Sequence, residues 1–445
     1  MKKFSRIAIV LTLALLLAAP AMALDTSFSG SFRIRGFSTS NPSLDDDDAD
    51  NTYMDSRLRV QTVFKVSDNV KLTTRFDALD GKVWGLTDDP DGNDKHNIDW
   101  DRAYINIKTS FGMFDIGRMA ARAFGTKFAD AQIDRDRIKY TLPLGDLTLL
   151  AVYGKKETGA DHFDPNVADG DRTGYSLAGV YKMDTGVAGL LLHLENDMSN
   201  PAIDKKEFFI NPFVNMTILD SLKIQGELKY EFGEWDFDNQ ADDDIARFAA
   251  NIEASAMFGA MNIMVGYAHV SGDADNWNPA NGEYANADGE QTWFKGGTGF
   301  DWDRLWILTT DDDASLAGGK CFDAMDSMES HHACDRNGLS GNLQNTTGTG
   351  RYGAKITYIG ASMSPRPGLN VGLVFAASLA EDVPSGWADF HGYEWDFNLS
   401  YKIFDNLSYD FVAAFLAAGD FWKAGDPSVD LENTYALYNQ LKLKF

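Results

Sequence analysis

Eighteen segments of this 445-residue chain alternate apolar and polar side chains, and the links between them alternate between tight and long. A period of two with one apolar and one polar face marks a half-buried strand. Residues 222–232, Leu-Lys-Ile-Gln-Gly-Glu-Leu-Lys-Tyr-Glu-Phe, show it most cleanly. Tight links fall at 67–69, 109–112, 144–146, 184–186, 219–221, 259–260, 364–368 and 405–406. The intervening links are long and polar, including 38–53, 80–97, 156–172 and 272–350. An up-and-down membrane barrel requires this sorting, with turns at one rim and loops at the other. A β-sandwich has turns but no reason to sort them by parity, and no repeat of about 20–50 residues supports a solenoid. The expected fold is therefore all-β: a transmembrane antiparallel up-and-down barrel of eighteen strands, or sixteen if two weak segments are loops.

Both ends of the chain agree with that reading. In 435–445, Tyr435, Leu437, Leu441, Leu443 and Phe445 share one parity, and Tyr438, Gln440, Lys442 and Lys444 the other. A strand that closes a barrel against 28–37 can end this way. Lys2, Lys3 and Arg6 precede an apolar run from Ile7 to Ala19, then Pro20 and Ala21-Met22-Ala23. This is the order of a secretory signal peptide spanning 1–23, which leaves 24–445 as a single barrel domain. Removing those three basic residues takes the formal charge from -26 to -29. So acidic a chain is poorly suited to bind nucleic acid or anionic surfaces directly, and favours cations or lipopolysaccharide bridged by divalent metal.

Energetics assigns the faces. A Lys or Arg facing lipid at the midplane costs about 2–4 kcal/mol, so the basic residues of the strands belong in the lumen. Arg33, Arg35, Arg57, Arg59, Arg75, Arg102 and Arg118 are expected to form a basic wall along the early strands. Later strands offer Glu227, Glu231, Glu253, Glu394, Asp396 and Asp410 on the polar parity. Set against each other, the two groups would create a transverse field that orients dipolar solutes. The plainer alternative is that these charges form salt bridges within the lumen.

Two segments carry a family resemblance. Asp101-Arg-Ala-Tyr-Ile-Asn-Ile107 followed by Phe111-Gly-Met-Phe-Asp-Ile-Gly-Arg118-Met119 resembles the strand–turn–strand preceding the constriction loop of general trimeric porins. The closing strand ending on Phe445 resembles that of Gram-negative outer-membrane barrels, where a terminal Phe belongs to the assembly signal. The resemblance covers mainly 100–155 and the last strand. It implies a porin of the Gram-negative outer membrane, of deltaproteobacterial type, with an alginate-export-like eighteen-strand barrel as its nearest relative. It also implies a passive channel, a possible homotrimer, contact with lipopolysaccharide, and an inward-folded loop over 119–135. Arg122, Lys127, Asp130 and Asp134 would then stand at the constriction, although the loop is short and lacks the Pro-Glu-Phe-Gly-Gly-like tip.

The link 272–350 is the longest, with fourteen acidic and four basic residues. Cys321 and Cys334 lie in it and, in an exported loop, are expected to form a disulfide. A metal site from these two with His331 and His332 fits no zinc spacing well. Trp302-Asp-Arg-Leu-Trp-Ile-Leu308 reads either as a loop hairpin or as a fold-back that narrows the pore. Asp89, Asp91, Asn93 and Asp94 around Gly92 loosely match a calcium turn but lack the closing Glu, so Ca²⁺ at the acidic loops is the one cofactor suggested. Nothing in the chain matches a nucleophile motif, and no enzymatic activity is expected. Passive diffusion of small hydrophilic solutes and ions is the leading expectation. A polyanion exporter of the alginate type, or a sheath for a multihaem cytochrome, is the alternative.

Overall fold

The computed structural model of the chain describes residues 25–41, 44, 51–85, 98–121, 124–128, 133–157, 170–200, 203–219, 221–237, 243–272, 302, 304–309, 353–383, 385–423 and 425–445. The strands are β1 (Asp25–Ser40), β2 (Asn51–Lys65), β3 (Val70–Val83), β4 (Ile98–Thr109), β5 (Gly112–Ala121) and β6 (Ile133–Leu144). β7 (Leu147–Glu157), β8 (Arg172–Met183), β9 (Gly186–Asn200), β10 (Ile203–Ile218), β11 (Leu222–Phe237) and β12 (Asp243–Phe258) follow. The last six are β13 (Met261–Val270), β14 (Ala354–Arg366), β15 (Leu369–Leu379), β16 (Phe390–Phe404), β17 (Leu407–Ala418) and β18 (Thr434–Lys444). Each pairs antiparallel with its predecessor and successor, and β18 returns to β1 in register from Ser31↔Lys444 to Ser40↔Tyr435. The barrel has eighteen strands, and the sixteen-strand alternative does not hold.

Closure satisfies every strand from both sides, which is the only way a sheet can cross hydrocarbon. Tight links sit at one rim, as at 145–146, 259–260 and 405–406. The other rim is less uniform than the sequence suggests, because β9 and β10 are joined there through 201–202 alone. Those two strands are among the long ones, of 15 and 16 residues, and extend the wall where a loop was expected.

Parity separates two environments. Outward positions carry exposed apolar residues such as Phe28, Ile105, Ile138, Leu177, Leu192 and Leu443. Inward positions bury charge, including Arg35, Asp55, Asp77, Glu227, Glu253 and Glu394. Across the outside of β5–β11 the register lines up Ile116, Ile138, Tyr153, Tyr175, Leu194, Phe208 and Phe232. Two residues farther from the turns, the same strands present Arg118, Asp136, Lys155, Thr173, Asn196, Lys206 and Glu234. An apolar belt edged by aromatics and then by polar side chains is the profile of a barrel in a bilayer.

At the seam, the Gly30 N–H donates to the Phe445 carbonyl at 2.8 Å and the Phe445 N–H returns to Gly30 at 3.1 Å. The Phe445 ring lies over Gly30, where a Cβ would stand 2.7 Å from a ring carbon and 2.3 Å from the Arg59 carbonyl. Gly30→Val should therefore cost about 1–3 kcal/mol by overpacking, read as a lower urea midpoint for the folded, heat-shifted band on gels. Phe445→Ala should lower the yield of that band and leave the conductance of the folded fraction at the wild-type value.

Candidate functional site in the lumen

The early strands line the lumen with arginines, each held by an aspartate from the same wall. Arg35 forks onto Asp55, its Nε at 2.9 Å from Oδ1. Arg59 Nε donates to Asp77 at 2.7 Å, and Arg57 lies 3.7 Å from Asp77 and 3.5 Å from Asp80. Arg33 reaches Asp80 at 3.7 Å. Arg75 bridges Asp101 at 2.9 Å and Asp134 at 2.7 Å, and Arg102 donates to Asp134 at 2.6 Å. A register shift between Arg75 and Phe76 in the β3–β4 pairing brings both Asp101 and Arg102 inside. The wall is an interleaved ladder of both signs. Of its acidic half only Asp134 is among the site residues expected from the sequence; Asp55 and Asp77, on the lumen parity of their strands, with Asp80 and Asp101, complete it.

Arg118 is a correction. Asp115 faces inward, taking Lys139 at 2.7 Å and Asn106, so Arg118, three residues on, shares the outward parity of Ile116. It pairs outside the barrel with Asp136 of β6 at 3.2 Å. Asp134 lies at the foot of the β5–β6 loop and pins two arginines of the wall. Arg122 and Asp130 lie outside the described residues, as do Cys321, Cys334, His331, His332, Asp89, Asp91, Asn93 and Asp94.

Between β5 and β6, residues 124–128 turn into the lumen. The backbone N–H and the hydroxyl of Thr126 both donate to Glu227 Oε2 of β11 at 2.6 Å. Asn211 and Lys229 hold the same carboxylate at 3.0 and 3.4 Å. Gly125 takes φ +104°, and a Cβ there would collide with Glu227 Oε1 at 2.4 Å, so glycine is required twice over. Phe124 packs edge-on to Phe213, and Phe128 is buried. Lys127 travels with this segment.

A second inward segment comes from the long link between β13 and β14. Trp302, Leu305, Ile307, Leu308 and Thr309 are all at most 2 % exposed, so 302–309 is a fold-back into the lumen. It docks on β16, where Ile307 and Leu308 N–H donate to Glu394 at 2.7 and 2.9 Å and Trp306 N–H to Asp396 at 3.1 Å. Arg304 donates to Glu253 at 2.8 Å, and Glu253 also accepts from the Tyr358 hydroxyl at 2.9 Å. Trp306 stacks on Tyr438 at 4.6 Å. Trp302 meets Phe128 edge-on at 5.3 Å, which joins the two inward segments.

The acidic later wall thus serves as a seat for loops. Glu227, Glu253, Glu394 and Asp396 are occupied by inward segments, and Glu231 by Arg247 at 2.8 Å. The expected field of a basic wall against an acidic one is not what the lumen contains, because charges compensate locally on both sides. His193 faces inward between Ser176 at 2.8 Å and Glu195 at 3.3 Å, but Lys156 and Arg172 already hold that carboxylate.

The architecture matches solved structures of OprD and Occ proteins of Pseudomonas aeruginosa. OccK8 (OprE) of Pseudomonas aeruginosa superposes with a TM-score of 0.55 at 14% identity, covering 95% of this chain and 98% of that one. OprD of the same organism gives 0.53 at 12%, over 96% and 97%. OccK3 (OpdO) gives 0.52 at 13%, over 94% and 96%. At such identities the likeness is one of fold. No protein-family model matches the sequence, and no curated protein does. Fold and belt together define an integral outer-membrane β-barrel.

Glu227→Ala should free residues 124–128 and leave the Thr126 N–H without an acceptor, a loss of about 1–3 kcal/mol. The expected readout is new protease cleavage between 122 and 132 in the folded barrel, with Glu227→Gln giving a smaller effect.

Proposed function

We propose that this protein is a porin-like channel for passive diffusion of small hydrophilic solutes and ions, narrowed from within by 124–128 and 302–309. The observation that carries the reading is the asymmetry of lumen exposure. Glu394 and Asp396 under the fold-back are fully buried, whereas the Arg59 and Asp80 side chains, on β2 and β3 farther round the ring, remain 28 % and 39 % exposed. Water therefore reaches the Arg57, Arg59 and Asp80 stretch of the ladder, although its Arg35–Asp55 pair is buried, and the solute path runs along that stretch. At the seam, Lys442, Arg33 and Arg57 are direct cross-strand neighbours facing the lumen. Asp80 offsets Arg33 and Arg57 in part, and the added charge of Lys442 leaves the row a surplus of positive charge and the path a local preference for anions.

Two specialised readings fit less well. A polyanion exporter of the alginate type calls for arginines free to receive a chain of carboxylates, and here Asp55, Asp77, Asp80, Asp101 and Asp134 stand among them. A cytochrome sheath calls for an empty lumen, and two segments of this chain occupy it. Trimer formation remains part of the proposal through the porin resemblance, and the disulfide between Cys321 and Cys334 through their place in an exported link.

Planar-bilayer recording from the purified barrel tests the reading. The wild type should give ohmic single channels, and deleting 302–309 should raise unitary conductance without unfolding the barrel. A folded barrel that passes no current in either form would sink the idea. Arg57→Glu with Lys442→Glu should move the reversal potential in a salt gradient toward cation preference.

A further inference from the structure

On the outside of the barrel, a concave patch of about 610 Å³ opens across β6–β11. Ala151 forms its floor because its neighbours Tyr140, Tyr153 and Leu177 are larger, and Phe208 stacked on Phe232 at 5.5 Å makes its far wall. That volume lies within the range of small-molecule sites, about 300–1,000 Å³. The lining is almost wholly apolar, and it faces away from the lumen.

Directly above, on the side away from the turns, the register sets Lys155, Thr173, Asn196 and Lys206 side by side on β7–β10. Lys155 is paired with Asp171. Lys206 has no carboxylate within ion-pair distance among the described residues, and its ammonium leans over the Phe208 ring at 5.8 Å. Lys155 lies eight residues beyond Leu147, and Lys206 twelve before Ile218. At about 3.3 Å per residue and a tilt of about 45°, they stand roughly 19 and 28 Å above the turns, Lys155 within the upper part of a belt about 25 Å tall and Lys206 at its edge. Two cations and two hydrogen-bonding side chains, with Asp136 beside Lys155 and Glu234 beside Lys206 at the ends of the row, therefore cap an apolar slot that runs down into the acyl region.

We propose that this patch is a specific binding site for a phosphorylated, multiply acylated glycolipid of the outer leaflet, of the lipid A type. An acyl chain fills the slot over Ala151, and a phosphate sits between Lys155 and Lys206, hydrogen-bonded by Thr173 and Asn196. The site rests on the outer-membrane placement of the barrel, because the long-link rim must face the leaflet that holds such lipids. It is independent of what crosses the lumen.

Native mass spectrometry of the delipidated full-length barrel in detergent, titrated with lipid A and separately with phosphatidylglycerol, tests it. One lipid A should be retained per barrel in preference to the phospholipid. Lys155→Ala with Lys206→Ala should weaken retention of lipid A by about tenfold or more, and Ala151→Trp should abolish it by filling the slot. Lipid A retention unchanged in the folded double-lysine variant would overturn the site, as would phosphatidylglycerol bound as tightly by the wild type. The lysine variant remains informative if Ala151→Trp fails to fold. Its bilayer conductance should equal that of the wild type, so a failed lipid result and a failed channel result are read separately.

Discussion

The unbroken ring of backbone hydrogen bonds is the constraint on which everything else in this barrel depends. Hydrocarbon offers no partner for an exposed peptide group, and each one left unpaired costs several kcal/mol. Eighteen strands paired on both sides, with β18 closing on β1, remove every edge. Once the ring is closed, the pleat admits two faces only, and a slip of one residue would move a whole strand's charges into lipid. The register is therefore fixed as much by the arginines as by the leucines. Gly30 beneath the Phe445 ring shows the same economy at the seam, where the last residue still completes a hydrogen-bonded pair.

Parity explains what could be read from the sequence and where that reading stopped. Strand number, pairing and the inward course of Arg33, Arg35, Arg57, Arg59 and Arg75 follow from period two and the cost of charge in lipid. Arg118 departs from the expected wall because its spacing of three from the inward Asp115 puts it on the outer parity, where Asp136 pairs with it. Asp55 and Asp77 share the parity of Arg57 and Arg75, so the acidic partners of those strands are legible from alternation too. Asp101 and Arg102 both point inward at a register shift, which alternation cannot express. The partners of the inward segments lie about a hundred residues away, Thr126 on Glu227 and Ile307 on Glu394. No local pattern encodes such pairs. The apolar run 302–308 within an acidic link was the one visible sign, and it left a surface hairpin and a fold-back equally open.

Carboxylates are well suited to seat these segments. A loop that enters a barrel brings backbone N–H groups that strands cannot satisfy, since their own acceptors are already paired across the sheet. Glu227, Glu394 and Asp396 supply side-chain acceptors from the wall, and a charged acceptor forms a hydrogen bond stronger than a neutral one. Removing such an acceptor leaves its donors stranded, so the seat is far more costly to break than its net contribution suggests. The acidic residues of the later strands thus have a structural task that their charge alone does not announce.

The consequence is a lumen with a dry side and a wet side. Apolar residues of 302–309 pack over β12–β18, whereas Arg57, Arg59 and Asp80 of the ladder on β2 and β3 keep partial contact with water. Trp302 and Phe128 touch where the two inward segments meet, so a shift of either uncovers the other's apolar surface. The size of the passage is then set jointly by two loops anchored on different strands, and its electrostatic character by the Arg57, Arg59 and Asp80 stretch that they leave open. Size and charge selection are carried by separate residues, which lets either vary without disturbing the hydrogen-bonded ring that holds both in place.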